Sequence, residues 1–372
     1  MPSPLIMKAV FSAVTSRVRR YVAPGLSRTP GASISTTAGN NSFNVSVTAL
    51  NSDFQKALDL LGKIVAAPAF PEELLEQERV ALLGRIRQKR DSWDSEAFRL
   101  FREAMFQSHP YGLDPIGSIE AVQKLSRDDL VGFYESYCAP DNMVLAIFGA
   151  VSEETAEKAA REVFGSFTRK AAAPPEIPPE PALKDDVKRV EYNDQTQAVV
   201  VLGFRGVRLS DDDRYVLSVI DSLVSGIGFP SGRLHEALRG DRDLVYFVHA
   251  QNWTGIDPGS FHVMAQTAPG NLDEVVAVIA RELKRIGSER VSEKELNLAK
   301  QVCVTSFEMS RETSGAQAQE AALFELYGLG YDHEDQYPQR VREVTADDVL
   351  RVAKKYFDKP SILVITQPKP EE

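Results

Sequence analysis

The chain contains one sequence pattern twice, and this internal repeat constrains the fold more than any other feature. The clearest match is Ser126-Arg-Asp-Asp-Leu, which recurs 219 residues later as Thr345-Ala-Asp-Asp-Val. Four segments of the first copy recur at a nearly constant spacing: Phe54–Leu58, Phe70–Glu78, Ser126–Tyr137 and Met143–Ile147. Agreement across four segments predicts two homologous repeats.

The two repeats are unequal at their front ends. The second repeat opens with a predicted strand near Ala198–Phe204, and a position 219 residues earlier would fall before Met1. The first repeat is therefore expected to be truncated at its N-terminus. It would lack an opening strand and helix, together with any chemistry that these elements carry.

Composition limits the class of protein. The chain has 372 residues, of which 43% are hydrophobic and 26% charged, values ordinary for a globular protein with two domains. A formal charge of −10 argues against nucleic acid as the main partner. No stretch approaches the ~20 apolar residues of a membrane span. The two cysteines, Cys138 and Cys303, form neither a disulfide framework nor a zinc cluster, and we predict buried, unreactive thiols.

The segment 1–30 is atypical. No acidic residue occurs before Asp53, whereas five basic residues do: Lys8, Arg17, Arg19, Arg20 and Arg28. Such a start is typical of an organelle transit peptide, or it is the translated start of a shortened gene. The unequal repeats favour the second interpretation. A bacterial cytoplasmic or periplasmic location is accordingly favoured, with a mitochondrial location as the alternative.

Sequence patterns divide the chain into a first repeat (31–170), a linker (171–186) and a second repeat (187–372). The linker has five prolines between Pro174 and Pro181, which exclude a helix or a central strand. In the first repeat, Ser42–Leu50 alternates like a strand, and the apolar run Met143–Phe148 predicts a buried strand. Strands mixed with helix pairs in both repeats predict an α+β fold.

The motifs resemble those of one known family, the pitrilysin/insulinase metallopeptidases. The resemblance rests on three runs in the first repeat and one in the second: Phe70-Pro-Glu-Glu…Glu78, His109-Pro-Tyr-Gly112, Asp128-Asp-Leu…Pro140-Asp-Asn-Met, and Ser231-Gly-Arg-Leu…Tyr246. It covers about residues 31–368. The resemblance implies two homologous, metallopeptidase-like α/β sandwich units, of which the first is truncated.

In that family the first unit holds zinc through His-x-x-Glu-His and a further glutamate on a later helix. None of the five histidines lies in such a motif: His109, His235, His249, His262 and His333. The later helix departs too, because Arg85 stands seven residues after Glu78, where the resemblance places the glutamate ligand. A cation there repels zinc. We therefore expect no metal and no other cofactor in this chain.

The second repeat keeps a different part of the family's site. Arg239 and Tyr246 are seven residues apart and bridge a predicted helix end and strand start. The resemblance implies that such a pair donates hydrogen bonds to the scissile carbonyl, or to the oxyanion that forms from it. Spacing alone favours a structural role, with Arg239 at a helix C-terminus and Tyr246 packed in the sheet, and it is the resemblance that favours the functional role.

Weaker candidates are interpreted as structural. Gly226-Ile-Gly228 and Gly232 predict a tight loop, because they match no phosphate-binding fingerprint. His109-Pro-Tyr-Gly112 predicts a turn, and His262 lies in a strand pattern as a satisfied sheet residue. Resemblance suggests that an extended peptide adds to a sheet edge near Trp253–Gln266.

These observations predict a non-catalytic subunit of a heteromeric zinc metalloendopeptidase. Its expected partners are a zinc-bearing subunit of the same family and an unfolded peptide, and Arg239 and Tyr246 act in trans. Two alternatives stay open. Relatives of the fold serve as structural core subunits of respiratory complexes, and the chain could be a truncated copy of a full peptidase.

Overall fold

A computed structural model of the chain describes residues 33–240 and 242–369. The atypical segment 1–30 lies outside these residues. Packing divides the chain into two compact units. Unit 1 comprises residues 33–88, 114–176 and 311–333, and unit 2 comprises 89–113, 177–310 and 334–369. Each unit thus includes one segment from the other sequence repeat. The boundaries predicted at 170 and 187 therefore separate the two sequence repeats, whereas the compact units are discontinuous in sequence.

The secondary structure is mixed, which confirms the α+β prediction. The strands are β1 (Ser33–Ala38), β2 (Phe43–Thr48), β3 (Val187–Asn193), β4 (Ala198–Arg205), β5 (Val245–Trp253), β6 (Ser260–Thr267) and β7 (Ile362–Pro368). The α-helices are α1 (Phe54–Ala66), α2 (Glu72–Arg90), α3 (Trp93–Met105), α4 (Ile119–Lys124), α5 (Arg127–Tyr137), α6 (Glu153–Phe164), α7 (Asp213–Ser225), α8 (Arg233–Leu238), α9 (Leu272–Ile286), α10 (Glu293–Ser310), α11 (Ser314–Leu326), α12 (Tyr337–Glu343) and α13 (Ala346–Phe357). Of these helices, none is long and apolar enough to cross a membrane.

Unit 1 is built on the antiparallel hairpin β1–β2, in which Ser33 pairs with Thr48. Helices α1 and α11 pack on β2, and α6 packs on α1. The last contact is close: a Cβ on Gly62 of α1 would lie 2.2 Å from a methyl carbon of Val163. Only glycine therefore fits this crossing without a shift of the Val163 side chain.

The prediction of a buried strand at Met143–Phe148 is wrong. The segment has no strand pairing within the described residues, and Val144, Leu145 and Phe148 are exposed. Its counterpart in the second repeat is β7, which is hydrogen-bonded to β3 on one side and to β4 on the other. An apolar run becomes a buried strand only when neighbouring strands satisfy its backbone.

Unit 2 contains a five-stranded sheet in the order β3-β7-β4-β6-β5. Strand β3 is parallel to β7, and the other neighbours are antiparallel. Residues of α7, α9, α10 and α13 form the core with one face of β4, including Val200 and Leu202. Helix α3 packs on the other face, against β4 and β7. Burial on both faces explains why β4 is almost continuously apolar.

Candidate functional site

One short connection in unit 2 carries both predicted site residues. Helix α8 ends at Leu238, and the Arg239 N–H donates to the carbonyl of His235 at 2.9 Å. The Leu244 N–H then donates to the carbonyl of Leu238 at 2.8 Å, just before β5 begins. Because the chain is fixed at both ends, the connection presents Arg239 and Tyr246 from an ordered helix end and an ordered strand start.

Tyr246 lies in a β-bulge. Val245 pairs with Thr267, whereas Phe247 pairs with Gln266, so Tyr246 is the additional residue on β5. The Tyr246 side chain is 58% exposed, although Val245 beside it is buried. Bulges commonly re-aim a side chain near a functional site. The Tyr246 ring is therefore not part of the buried core of the sheet.

The polar ends of the two side chains are available to a ligand. Arg239 and Tyr246 are exposed, and within residues 33–240 and 242–369 neither the guanidinium nor the phenol has a hydrogen-bond partner. In particular, the Arg239 guanidinium makes no bond to the last carbonyls of α8. The structure thus gives no packing or capping role to either side chain, and their role in a reaction stays a prediction.

Two histidines lie near this connection. Burial lowers the pKa of His235, and the nearby Arg239 guanidinium lowers it further. Burial also lowers the pKa of His249 on β5, with a smaller contribution from His235. Both imidazoles are therefore neutral at neutral pH and add no positive charge beside Arg239.

His262 is the most deeply buried histidine of the sheet. Its ring lies 4.9 Å from that of Phe98 and 5.3 Å from that of Phe101, and Nδ1 is 3.3 Å from the Ser260 hydroxyl. Burial lowers the pKa of His262 to about 3. This environment confirms the interpretation of His262 as a satisfied sheet residue that holds α3 against β6.

Stability is expected to fall in acid because of His262. Its pKa is lower in the folded chain (about 3) than the ~6.5 of an unfolded histidine, so its contribution is complete above pH ~6.5 and is lost as pH falls toward 3. Between pH 8 and pH 5 the loss is about 2 kcal/mol. Urea unfolding of the wild type and of His262→Gln at both pH values measures it. Parallel pH profiles for the two proteins would contradict this origin.

The run His109-Pro-Tyr-Gly112 is a buried turn, as predicted. His109 Nδ1 accepts the Tyr111 N–H at 3.1 Å, and Nε2 lies 3.2 Å from a carboxylate oxygen of Asp257. The buried Tyr111 ring packs on Trp253 at 4.8 Å, and its hydroxyl accepts the Asp257 N–H at 3.2 Å. The turn is therefore held within unit 2 by buried contacts.

The residues at the expected metal position do not fit zinc. Arg85 is exposed on α2. It is a cation at the position where the resemblance implies a carboxylate ligand. Across the described residues, no group of three His, Cys, Asp or Glu side chains is suited to hold a metal ion. No step of a reaction is therefore assigned to a metal bound by this chain.

Both cysteines are buried free thiols, which confirms their predicted state. Burial raises the pKa of Cys138 to about 11 and that of Cys303 to about 12. A thiol that stays protonated at neutral pH is a poor nucleophile and a poor metal ligand. Neither cysteine belongs to the candidate site.

The structure adds a polar group that sequence patterns did not single out. Asp221 and Ser225 are buried on α7, and the Ser225 hydroxyl donates to Asp221 Oδ1 at 3.1 Å. Burial raises the pKa of Asp221 to about 7, although hydrogen bonds from the Asn252 N–H and Ser225 oppose this. The sequence does contain one indication of this group, because Asp221 and Ser225 are polar residues on the apolar side of an amphipathic helix.

The neighbourhood that the resemblance suggests for peptide binding, Trp253–Gln266, contains the end of one edge strand and most of an internal strand. Strand β6 (Ser260–Thr267) is internal, since β4 and β5 pair with it on either side. The edges of this sheet are β3 and β5. On β5, the N–H groups of Ala250 and Asn252 already donate to Ser225 and Asp221. An added strand would find these two donors occupied.

Comparisons with known proteins match both repeats to one family. Residues 9–117 match the family model described as Insulinase (Peptidase family M16). Residues 124–303 match the model described as Peptidase M16 inactive domain. Together the two matches cover most of the chain and agree with the resemblance noted in its motifs.

Individual relatives have low sequence identity to this chain but match most of its length. An uncharacterized zinc protease of Mycobacterium leprae is 29% identical over 317 residues, which cover 83% of this chain and 70% of the relative. A Pseudomonas fluorescens structure described as a peptidase M16 inactive domain gives a TM-score of 0.84 at 20% identity, covering 100% of this chain and 89% of that chain. A chain of complex III2 from Candida albicans gives 0.77 at 16% identity, covering 95% and 86%. At these identities the solved structures show a shared fold.

Proposed function

Because this chain belongs to peptidase family M16, we propose that it is a non-catalytic subunit of a two-chain zinc endopeptidase, to whose site it contributes Arg239 and Tyr246. The zinc is supplied by a His-x-x-Glu-His partner of the same family. The substrate is an unfolded peptide.

One observation carries the proposal: Arg239 and Tyr246 are exposed and have no hydrogen-bond partners in the described part of the chain, one at the end of α8 and the other at the start of β5. Two exposed polar groups without partners are suited to donate hydrogen bonds to a ligand on another molecule. A guanidinium and a phenol are both donors, and neither a metal nor a proton acceptor is needed for them to act.

The chemistry follows from these donors. Attack on a peptide carbonyl places negative charge on its oxygen, and preorganised N–H and O–H groups stabilise this charge more than they stabilise the neutral carbonyl. Arg239 contributes a charged donor, and Tyr246 contributes a neutral one. Binding of the transition state in preference to the substrate raises the rate.

The test is reconstitution. The purified chain is expected to cleave no fluorogenic peptide by itself, whereas a complex with a His-x-x-Glu-His partner is expected to cleave it and to lose activity in a zinc chelator. The partner alone is the control and is expected to be much less active than the complex. Zinc-dependent cleavage by the isolated chain would contradict the proposal, as would equal activity of the partner alone.

A structural role is the alternative, and the similarity to a chain of complex III2 favours it. In that case the chain contributes surface to an assembly and no donors to a reaction. Arg239→Ala would then change complex formation, or nothing, and would leave the turnover of any partner peptidase unaffected.

A further inference from the structure

Helix α7 bonds directly to the backbone of strand β5. The Ser225 hydroxyl accepts the Ala250 N–H at 2.8 Å, and Asp221 Oδ2 accepts the Asn252 N–H at 3.1 Å. A third bond runs the other way, from the Asn252 side-chain amide to the carbonyl of Arg214 at 3.2 Å. Asp221 and Ser225 are both buried, so water does not compete for these bonds.

These bonds lie on the outer side of β5. The backbone groups of a strand alternate between its two sides, and the N–H groups that donate to α7 face away from β6. In place of a further strand, the two α7 side chains accept these N–H groups. An open strand edge invites pairing with any extended chain, and covering it is a common protection.

The same bonds fix the register of β5 on one side of the bulge. On the other side, the Thr267 hydroxyl donates to the carbonyl of Leu244 at 2.5 Å, and Val245 pairs with Thr267. Tyr246 therefore lies between two anchored stretches. A slip of one residue would remove the bulge and turn Tyr246 to the opposite face of the sheet.

Such a slip would already expose the buried Val248 and Ala250, and the α7 side chains add to its cost. It would move the outward N–H groups away from Ser225 and Asp221 and leave a buried carboxyl and a buried hydroxyl without donors. An unsatisfied buried polar group costs about 1–3 kcal/mol. The contact between α7 and β5 thus selects one register.

We propose that Asp221 and Ser225 are positioning residues, which hold β5 in the register that presents Tyr246 to the substrate. This inference rests on the proposed function of Tyr246 for its effect on turnover, but the effect on the strand is independent of that function. It also closes the Ala250–Asn252 stretch of β5 to an incoming peptide strand.

The kinetic test uses the reconstituted complex. Asp221→Leu replaces both carboxylate oxygens with methyl groups on the same branched side-chain skeleton, and it is expected to lower kcat as much as Tyr246→Phe does, with KM little changed. The double variant Asp221→Leu/Tyr246→Phe is expected to be no slower than either single one, because a misplaced phenol is already lost. Asp221→Asn keeps an acceptor for the Asn252 N–H and is expected to retain most activity.

A structural test does not depend on activity. Amide hydrogen exchange at Ala250 and Asn252, and nitration of Tyr246 by tetranitromethane, report the register directly. Asp221→Leu and Ser225→Ala are both expected to speed exchange at these amides and to reduce nitration at Tyr246. Ser222→Ala is the control, since its hydroxyl is buried on the same helix but makes no bond to β5.

The outcomes separate the two claims. If Tyr246→Phe leaves turnover unchanged, the proposed function of Tyr246 fails, and exchange and nitration still decide the positioning role. If exchange and nitration in Asp221→Leu and Ser225→Ala match the wild type, the positioning role is overturned. Additive losses of kcat in the double variant would overturn it as well.

Discussion

Replacing Arg239 with alanine is expected to lower the kcat of the reconstituted peptidase by about 10²–10³-fold, the usual loss when one oxyanion donor is removed. KM is expected to change little, because the guanidinium binds charge that exists only in the transition state. Tyr246→Phe removes a neutral donor and is expected to cost about 10²-fold, at the lower end of that range. Steady-state kinetics on one peptide at several substrate concentrations measure both effects.

Two further variants make the result specific. Arg239→Lys keeps the charge but loses the planar fork of donors, so an intermediate loss is expected. Arg242→Ala removes an exposed arginine of the same connection that is paired with Glu274, and it is expected to leave kcat unchanged. Equal losses in Arg239→Ala and Arg242→Ala would indicate a general effect of surface charge. No loss in either would favour the structural alternative.

Local patterns in the sequence predicted local structure well. The repeated segment that begins at Ser126 and at Thr345 has Ser or Thr followed three residues later by Asp, and both copies form capping boxes, with Asp129 and Asp348 as the third helical residues. The strand predicted at Ala198–Phe204 is β4. A capping box involves four consecutive residues, and a strand buried on both faces is apolar throughout, so neither depends on distant parts of the chain.

Pairing between distant strands could not be predicted in the same way. Met143–Phe148 has the apolar pattern of a buried strand and forms none. Conversely, β3 (Val187–Asn193) is largely polar and was not predicted, yet it pairs with β7 over its whole length. An edge strand needs little hydrophobic content, because one side faces water, and its partner lies about 175 residues away in sequence.

The same distinction between local and long-range structure applies to the candidate site. Arg239 and Tyr246 are close in sequence, so spacing and family resemblance could locate them. The bulge that exposes Tyr246 depends on the pairing of β5 with β6, and the contacts of Asp221 and Ser225 join α7 to a strand 25 to 31 residues further on. No pattern of residue types encodes these tertiary contacts.

The largest expected loss of stability comes from Phe101→Ala. Phe101 on α3 has no exposed surface, and its ring packs against Phe98 at 6.0 Å and His262 at 5.3 Å. Truncation of a fully buried phenylalanine costs about 3–5 kcal/mol, since apolar contact is lost and a cavity remains. Urea unfolding at pH 8, where His262 is neutral in both states, measures it. Phe229→Ala, which truncates a 45% exposed ring, is the control and is expected to cost about 0.5 kcal/mol or less.

A second substitution identifies the contact behind that loss. Gly203 of β4 lies directly under the Phe101 ring, because a Cβ at this position would be 2.6 Å from a ring carbon. Gly203→Ala is therefore expected to destabilise the wild type by forcing α3 away from the sheet. In Phe101→Ala the ring is gone, and the same methyl group occupies part of the cavity, so the cost of Gly203→Ala is expected to be smaller there. The added Cβ would also lie 2.7 Å from the Cβ of His262, which is present in both backgrounds, so equal costs would show that His262 and not the Phe101 ring limits the space at Gly203.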